Sequence, residues 1–462
     1  MGAKINKTYL WFICIVAALG GLLFGYDTAV ISGTIGLLRN QFNLSTGMEG
    51  TLVSSVLFGS IIGCLIAGYL SDKFGRKKVL ILSGLLFIVA SLGCSIAPDV
   101  ITLIIIRLLG GIGVGIASVL SGLYISEISP PEIRGRMTTL FQFAITIGIM
   151  LALFVNAYLK GIADKNLDSV SGGLFHLMVI KETWRAMLLA MFIPSLFFTI
   201  SLFFVPESPR WLMKQGLVEK ARNVLLKITD RKTTEDEISS IDLTLKQGSV
   251  ALSDLLKPGL RKAFFVAMFL AVVSELSGIT VIFYYGPDIL EKAGLKLSDA
   301  LGGFVSVGIV NVLFTIIAIW KLDSIGRRPL LFVGNCGAFI SMIALGICFS
   351  VGMSAGLLPV FLICSFVAFF AFSMGPIKWV VMAEIFPTKI RGRAVAIASF
   401  AVWITDWILN LVFPIVRESM GMSGIFFLFS AFLIPQFFFI WKVMPETKGK
   451  TLEEIEQSWL RK

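Results

Sequence analysis

The stretch that decides the fold is GYLSDKFGRKK at residues 68–78, a compact charged segment between two long apolar runs. A second copy, LDSIGRR, begins at residue 322, and it repeats the aspartate, the glycine and two basic residues at the same spacing, 251 residues later. The matching positions are Asp72, Gly75, Arg76 and Lys77 in the first copy and Asp323, Gly326, Arg327 and Arg328 in the second. Because the offset is just over half of the chain, the segment indicates an internal duplication.

The composition predicts a membrane protein. Of the 462 residues, 56% are hydrophobic and only 15% are charged, and the mean hydropathy is +0.89. Apolar runs of about 20 residues span the hydrocarbon core of a bilayer, and their backbone groups must be satisfied within each helix. We predict twelve such spans, at residues 9–38, 50–71, 79–97, 101–126, 137–159, 184–205, 263–291, 300–320, 330–351, 357–383, 394–416 and 422–443.

The distribution of positive charge predicts the orientation. Basic residues accumulate in the cytoplasmic loops of membrane proteins. The short loops after spans 2, 4, 8 and 10 hold twelve Lys and Arg residues, whereas the short loops on the opposite side hold four: Arg39, Lys292, Lys296 and Arg417. The first set is therefore predicted to be cytoplasmic, and an even number of spans places both termini there. The same bias explains the net charge of +11, and no soluble basic face with interleaved aromatics suggests nucleic-acid binding.

The sequence predicts no metal, cofactor or disulfide. All six cysteines lie inside apolar runs without a CxxC spacing, so they are interpreted as small packing residues. The lone histidine, His176, lies in a polar insertion and is interpreted as solvated. The first apolar run is too long for a signal peptide and lacks a clear cleavage site, so we expect it to remain as span 1.

Two longer polar segments complete the domain organisation. We predict an N-terminal six-helix bundle at residues 1–205, a cytoplasmic helical linker at 206–262, a C-terminal bundle at 263–443 and a cytoplasmic tail at 444–462. The linker contains the amphipathic pattern of a short helix, with apolar positions Val218, Ala221, Val224, Leu225 and Ile228.

The duplication extends beyond the first segment. EISPPEIRGR at residues 127–136 recurs as EIFPTKIRGR at 384–393, and PES at 206–208 recurs as PET at 445–447. Each half therefore carries one motif after its second, fourth and sixth spans, all on the same side. This arrangement predicts two parallel six-helix repeats, as in transporters that hold their substrate at the repeat interface.

These motifs, with RLLGGIGVG at 107–115, PESPRWL at 206–212 and PETKGKTLEE at 445–454, resemble the signature set of the sugar porter branch of the major facilitator superfamily. The segment GYDTAVISG at 25–33 is similar to that of the bacterial proton-coupled members. The resemblance implies an all-α membrane protein with twelve transmembrane helices. It further implies a monomeric secondary transporter of the cell membrane that carries a sugar or polyol together with protons, by alternating access.

The resemblance also implies a cytoplasmic latch made of the repeated arginines and acids. Charges at the helix ends of facing bundles can pair when that side closes and separate when it opens, and several weak pairs together can bias a two-state equilibrium. The alternative is that the positive charges only fix orientation, which leaves the repeated glutamates unexplained. The latch residues are Asp72, Arg76, Glu127, Arg136, Glu207, Asp323, Arg327, Glu384, Arg393 and Glu446.

Two ionisable residues at membrane depth, Asp27 in span 1 and Arg107 in span 4, match the proton site and its partner in the resembling symporters. Such groups are costly inside a membrane and indicate function. A carboxylate paired with the arginine stays ionised, and once the arginine moves away, burial favours the protonated form. The alternative is a permanent structural ion pair.

The predicted substrate pocket departs from the family pattern. Five residues match the family pattern: Gln142, Tyr284, Asn311, Trp379 and Trp403. Phe24 and Phe370 are expected to supply apolar walls. Four amides that hold sugar hydroxyls in the family are missing. The glutamine pair of span 7 is Ser274-Glu275, its asparagine is Thr280, and the glutamine of span 11 is Val402.

New charges appear in the same neighbourhood, at Glu275, Lys378 and Asp406. Buried charges must pair, face water or change their protonation. One reading is a structural pair between Glu275 and Lys378 that replaces the lost amides. Another is that the charges bind a charged or zwitterionic solute, or a polyol through strong carboxylate hydrogen bonds.

Other functional classes fit less well. GIGVG at 111–115 superficially resembles a nucleotide-binding loop, but it lies mid-membrane and follows no strand, so we predict that its glycines allow close helix packing and that the protein is not an enzyme. A sensor with this fold is expected to have enlarged cytoplasmic segments. A facilitative uniporter of the same fold remains the mechanistic alternative.

Overall fold

The structure, a computed structural model, describes residues 5–130, 133–166, 173, 176–246, 260–353, 356–386, 391–444 and 446; the side chains of 244–246, 323, 383 and 391–393 lie outside this description. The described chain is helical almost throughout. Spans 1 to 6 are Lys7–Val30, Thr46–Phe74, Arg76–Ile96, Val100–Ile128, Arg134–Lys165, and the pair Thr183–Leu189 with Phe192–Ser201. Spans 7 to 10 are Leu260–Leu276 with Ile279–Lys292, Leu297–Ile325, Arg327–Ser350, and Leu358–Phe372 with Met374–Glu384, and spans 11 and 12 lie within Arg391–Lys442.

Eleven of the helical segments in the described residues are long and apolar enough to cross a membrane, and the last of them, Ala394–Lys442, is two spans in one. Its 49 residues exceed what one crossing needs, about 20 residues. Gly421, at φ 70° and ψ 174°, interrupts the helical backbone at the point where the sequence predicts the loop between spans 11 and 12. The twelve predicted spans are therefore present, and several run beyond the predicted bounds. Span 1 instead ends at Val30, short of the predicted residue 38, and the short helix Ile35–Phe42 follows it.

The glycines of GIGVG allow span 4 to pack directly against span 2. A Cβ atom on Gly111 would lie 2.1 Å from the Val56 carbonyl oxygen, and one on Gly115 would lie 2.2 Å from that of Ser60. At this approach the Ser60 hydroxyl donates a hydrogen bond to the Gly111 carbonyl at 3.2 Å. The glycines are thus packing residues, as predicted, because any larger side chain would push the two helices apart.

We expect Gly111→Ala to destabilise the protein by roughly 1–3 kcal/mol, the usual cost of overpacking a close-packed contact. Gly122→Ala is the matched control, because Gly122 lies in the same helix and has nothing within 4 Å of its Cβ position. Thermal unfolding of the purified variants in detergent measures both. Equal melting temperatures for the two variants would contradict this account of the packing.

Spans 7 and 10, both in the C-terminal half, are each interrupted near the middle of the helix. Span 7 breaks between Leu276 and Ile279, where Gly278 adopts φ 87°. Span 10 breaks at Ser373, whose φ of −132° and ψ of −80° are not helical. In membrane proteins, interrupted helices are tolerated where they line a cavity, and they often carry substrate sites.

The linker lies against the N-terminal half. It contains the helices Pro209–Lys214, Val218–Leu226 and Arg231–Lys246. Trp211 donates from its indole nitrogen to the Asp72 carbonyl at 3.0 Å, and the Lys214 ammonium pairs with the Asp72 carboxylate at 2.9 Å. The remainder of the predicted linker, residues 247–259, and all of the predicted tail except Met444 and Glu446 lie outside the described residues.

Candidate functional site

We call the end of the molecule that carries the repeated motifs the motif face. In its N-terminal half, Arg76 lies at the centre of the charge pairs. Its guanidinium binds both carboxylate oxygens of Glu127, at 3.0 and 3.1 Å, and pairs with Asp72 at 3.2 Å. The Glu207 carboxylate accepts hydrogen bonds from the backbone N–H groups of Arg76 and Lys77. Burial raises the pKa of Glu207, while these N–H donors oppose the rise.

The C-terminal half repeats the same contacts with the duplicated residues. Arg327 binds Glu384 at 2.9 Å, and the Glu446 carboxylate accepts hydrogen bonds from the backbone N–H groups of Arg327 and Arg328. Gly326 and its counterpart Gly75 adopt φ of 103° and 98°. A Cβ atom at either glycine would lie within 3 Å of the glutamate carboxylate, 2.8 Å and 2.3 Å away respectively. The duplicated sequence therefore encodes a duplicated site, and its glycines make room for the acid.

The charge pairs described above each join residues of the same half, Arg76 to Asp72 and Glu127 in the first and Arg327 to Glu384 in the second. Arg136, another predicted latch residue, is exposed. Asp323 and Arg393 lie outside the described side chains. Pairs between the two halves are expected only in a conformation that is closed at the motif face. The latch therefore stays a prediction.

Asp27 and Arg107 lie within electrostatic range of each other, but no ion pair or hydrogen bond joins them in this conformation. The Arg107 side chain is buried, and its Nε and Nη2 atoms have no hydrogen-bond partner. Tyr284 of span 7 lies within electrostatic range of both residues. Asp27 and Arg107 therefore do not form a structural ion pair here. Arg107 is buried near the Asp27 carboxyl group and has N–H donors without acceptors.

In the C-terminal half, the three charges predicted near the substrate pocket do meet. The Lys378 ammonium pairs with the Glu275 carboxylate, and both side chains are buried. Asp406 of span 11 interacts with both of them and lies against Thr280. Glu275 lies at the end of the first segment of span 7 and Lys378 near the start of the second segment of span 10, so the two helix breaks bring the cluster together.

Aromatic residues connect the two halves around this cluster. The rings of Phe24 in span 1 and Trp403 in span 11 lie 5.1 Å apart, and the rings of Phe58 and Trp407 lie 5.3 Å apart. The Lys378 ammonium lies 5.4 Å from the ring centre of Trp379. The remaining predicted pocket residues, Gln142, Ser274, Asn311 and Phe370, are buried or half-buried, and their roles toward a substrate stay predictions.

At the end opposite the motif face, four charges form a closed ring between the halves. Arg39 binds Glu49 and Asp288, each at 2.7 Å, and Arg417 binds Asp288 at 2.7 Å and Glu49 at 3.1 Å. Glu49 and Asp288 are each only 2% exposed. Arg39 and Glu49 belong to the N-terminal half and Asp288 and Arg417 to the C-terminal half, so this four-charge ring holds that end shut.

Sequence reasoning missed this ring, because it treated Arg39 and Arg417 only as part of a count of positive charges. Glu49 and Asp288, two acids next to predicted helix ends on the same side, were the available signal. Burial alone would lower the pKa of Arg39, but hydrogen bonds to Glu49 and Asp288 raise it above its ordinary value. Arg39 is therefore held in its charged form by the ring.

Comparisons with known proteins agree with this architecture. The family described as "Sugar (and other) transporter" matches residues 13–459. The chain is 39% identical to the arabinose-proton symporter of Bacillus subtilis strain 168 over 457 residues, covering 98% of this chain and 96% of that protein. It is 36% identical to the D-xylose-proton symporter of Escherichia coli strain K12 over 491 residues, covering 99% and 97%.

Among solved structures, the partially occluded, inward-open xylose transporter XylE of E. coli matches with a TM-score of 0.83 and 35% identity, covering 96% of this chain and 100% of that one. The match confirms the predicted fold, and these relatives are transporters and not enzymes. The chain is a multi-pass membrane protein of the major facilitator superfamily, and it belongs to the sugar transporter family.

Proposed function

We propose that this protein is a proton-coupled symporter of a neutral sugar or polyol, working by alternating access across the cytoplasmic membrane. The observation that carries the proposal is the membrane-embedded pair of Asp27 and Arg107, which lie near each other without forming an ion pair. A facilitative uniporter has no need of an ionisable carboxyl group beside a buried arginine at membrane depth. The named relatives, which are an arabinose-proton and a xylose-proton symporter, support the same class of solute and the same coupling ion.

Coupling follows from the way in which the arginine controls the carboxyl group. When Arg107 approaches Asp27, the ionised carboxylate is stabilised, and when they separate, burial favours the protonated form. A proton is then taken up from the open side and released on the other side if the separation changes as the halves rock. A solute that binds best to the protonated form would be carried in the same direction.

The C-terminal cluster supports a neutral solute over a charged one. Glu275 is already paired with Lys378, so neither charge is free to neutralise a charge on the solute. The pair can still offer oxygen and nitrogen atoms to hydroxyl groups, and charge-assisted hydrogen bonds are the stronger kind. Trp379 and Trp403 would supply the apolar faces for the ring of a sugar or cyclitol.

We propose that the motif face and both termini lie in the cytoplasm, because the basic residues are concentrated in the loops on that side. The four-charge ring then lies on the external side, and with that ring closed the structure represents a conformation shut toward the outside. We further propose that the protein acts as a monomer, since each chain contains both halves of the transport site.

Sealed proteoliposomes with an imposed pH gradient test the proposed function. L-Arabinose, D-xylose and myo-inositol are suitable probes, and binding can be ranked first by thermal shift, since a ligand that binds the folded state stabilises it. Uphill uptake of at least one probe that stops when the gradient is collapsed supports symport. Downhill uptake alone indicates a uniporter, and accumulation of a cation or zwitterion with no response to any of the three probes indicates the charged-solute alternative.

We expect Glu275→Gln to reduce the uptake of the accepted solute by about tenfold or more. The substitution removes a charge-assisted hydrogen bond, worth roughly 1.5–3 kcal/mol, and leaves Lys378 buried without its partner. Initial rates of uptake in proteoliposomes measure the effect. Unchanged transport of every tested solute would remove the pair from the substrate site, and the exposed Glu418→Gln serves as the control.

A further inference from the structure

The C-terminal cluster has an imbalance of charge that the proposed function leaves unexplained. It contains two carboxyl groups, Glu275 and Asp406, but a single ammonium, that of Lys378. Lys378 pairs with Glu275, so among the described side chains of the cluster the two carboxyl groups share one cation. Each of the three residues is at most 7% exposed.

The Asp406 carboxyl group is only partly supplied with hydrogen bonds. Thr280 and the Glu275 carboxyl group lie within hydrogen-bonding reach of it. Its Oδ1 atom, however, is fully enclosed and has no hydrogen-bond partner, and the residue is only 5% exposed. One turn further along the same helix face, the Asn410 amide donates to the Asp406 backbone carbonyl at 2.9 Å and not to its carboxyl group. A buried, unpaired carboxylate costs several kcal/mol or more, and the usual escape is to take up a proton.

Among the described residues around Asp406, the nearby cation is Lys378, and Lys378 already pairs with Glu275. Span 7 presents Glu275, Thr280 and Tyr284, and span 10 presents Lys378, which is already engaged. Glu275 repels a second negative charge, and two carboxyl groups that face each other are most readily accommodated when one of them holds a proton. Trp403, on the same face of span 11, contacts Phe24 of span 1, so this face borders the space between the two halves.

We propose that Asp406, together with Glu275 and Lys378, forms a second proton-binding site, located in the C-terminal half, that is loaded and emptied during transport. This inference rests on the proposed symport for the consequence of loading, but not for the binding of the proton. The only bond that forms or breaks is the O–H bond of the carboxyl group. The proton comes from water on the side of the membrane to which the space between the two halves is open. It returns to water on the opposite side.

The proposed Asp406 site and the site of Asp27 and Arg107 share a neighbouring residue. Tyr284 lies within electrostatic range of Asp27 and Arg107 and also of Asp406. The two carboxyl groups are therefore both near the same residue of span 7. With both sites loaded and emptied, each solute molecule is accompanied by two protons, whereas Asp27 alone carries one.

Infrared difference spectroscopy of the full chain in lipid tests the binding of the proton without any substrate. On going from alkaline to acidic pH, a carboxyl C=O stretching band is expected in the wild type. It should persist in Asp27→Asn, shift in frequency in Asp406→Glu and disappear in Asp406→Asn. If Asp406→Asn folds poorly, the shift in Asp406→Glu still decides the assignment. A set of pH-dependent carboxyl bands unchanged by both Asp406 substitutions overturns the proposal.

The stoichiometry of transport tests whether the site is loaded and emptied in each cycle. With the membrane potential clamped at zero, a tenfold proton gradient concentrates a solute about a hundredfold with two protons and about tenfold with one, because each coupled proton adds about 1.4 kcal/mol. We expect the first ratio for the wild type and the second for Asp406→Asn, with L-arabinose or D-xylose as the probe. Equal ratios in the two proteins, or accumulation of cationic solutes only, overturn the proposal. If neither sugar is accumulated by the wild type while the infrared band behaves as expected, the fault lies with the proposed function and the proton-binding site stands.

Discussion

Asp27→Asn is expected to lower uphill accumulation at least about tenfold while leaving exchange intact. The substitution keeps the size of the side chain, but it replaces one acceptor oxygen by an NH2 donor and removes the group that gains and loses a proton near Arg107. Without a titratable group there, the proton gradient has no means of biasing the cycle through this site. Accumulation driven by a pH gradient should fall at least about tenfold, since it loses at least one coupled proton worth about 1.4 kcal/mol per tenfold gradient.

Two measurements on the same proteoliposomes separate loss of coupling from loss of function. Counterflow, in which external labelled solute exchanges for unlabelled solute inside, needs binding and rocking but no net proton movement, and it should persist in Asp27→Asn. Asp299→Asn is the matched control, because Asp299 is an exposed acid in the first turn of span 8 and should leave accumulation unchanged. Accumulation by Asp27→Asn at the wild-type level would remove Asp27 from the coupling mechanism.

The duplication is the feature that sequence reasoning predicted best, because each of its residues has a local task. Gly75 and Gly326 need positive φ, and Glu207 and Glu446 need the backbone N–H groups that follow those glycines. These backbone requirements depend on a few residues that are close in sequence, so they can be recognised as sequence motifs. The same holds for Gly111, where the need is for a missing side chain in a helix contact.

Contacts between residues far apart in the chain were harder to predict. The sequence offered a pair between Glu275 and Lys378 as one of its alternatives, and in the structure both residues lie close in sequence to the breaks in spans 7 and 10. The backbone conformations at Gly278 and Ser373 depend on packing between helices, which hydropathy does not report. The four-charge ring was missed for the same reason, because its members are up to 378 residues apart.

Arg417→Gln is the second substitution from which we expect a large effect, and it acts on the ring. It leaves Glu49 and Asp288, both nearly fully buried, with Arg39 as their only strong partner. Breaking a buried pair by removing one partner costs roughly 3–5 kcal/mol. Because the ring joins the two halves only when this end is closed, the cost falls on the closed conformation, and a shift of that size changes the ratio of the two states by more than a hundredfold.

The double variant Glu49→Gln/Arg417→Gln should be milder than the single one. It removes one anion and one cation together, so that Arg39 and Asp288 remain as a balanced pair at 2.7 Å. Replacing both members of a buried pair is far less costly than removing one of them. If the double variant is as damaged as the single one, charge balance within the ring is not what Arg417 contributes.

Spin labels at Met48 and Met420, exposed positions at the same end of opposite halves, report the opening of this end by pulsed EPR in a cysteine-free background. Arg417→Gln should add a longer-distance population, and the double variant should return most of it to the wild-type distance. Glu418→Gln is the control at the adjacent position, because Glu418 makes only an exposed contact with Thr46 across the same gap. If Arg417→Gln and Glu418→Gln leave the distance distribution equally unchanged, the ring does not hold this end closed, and the preference for the closed conformation must come from apolar packing between the halves, such as that between Phe58 and Trp407.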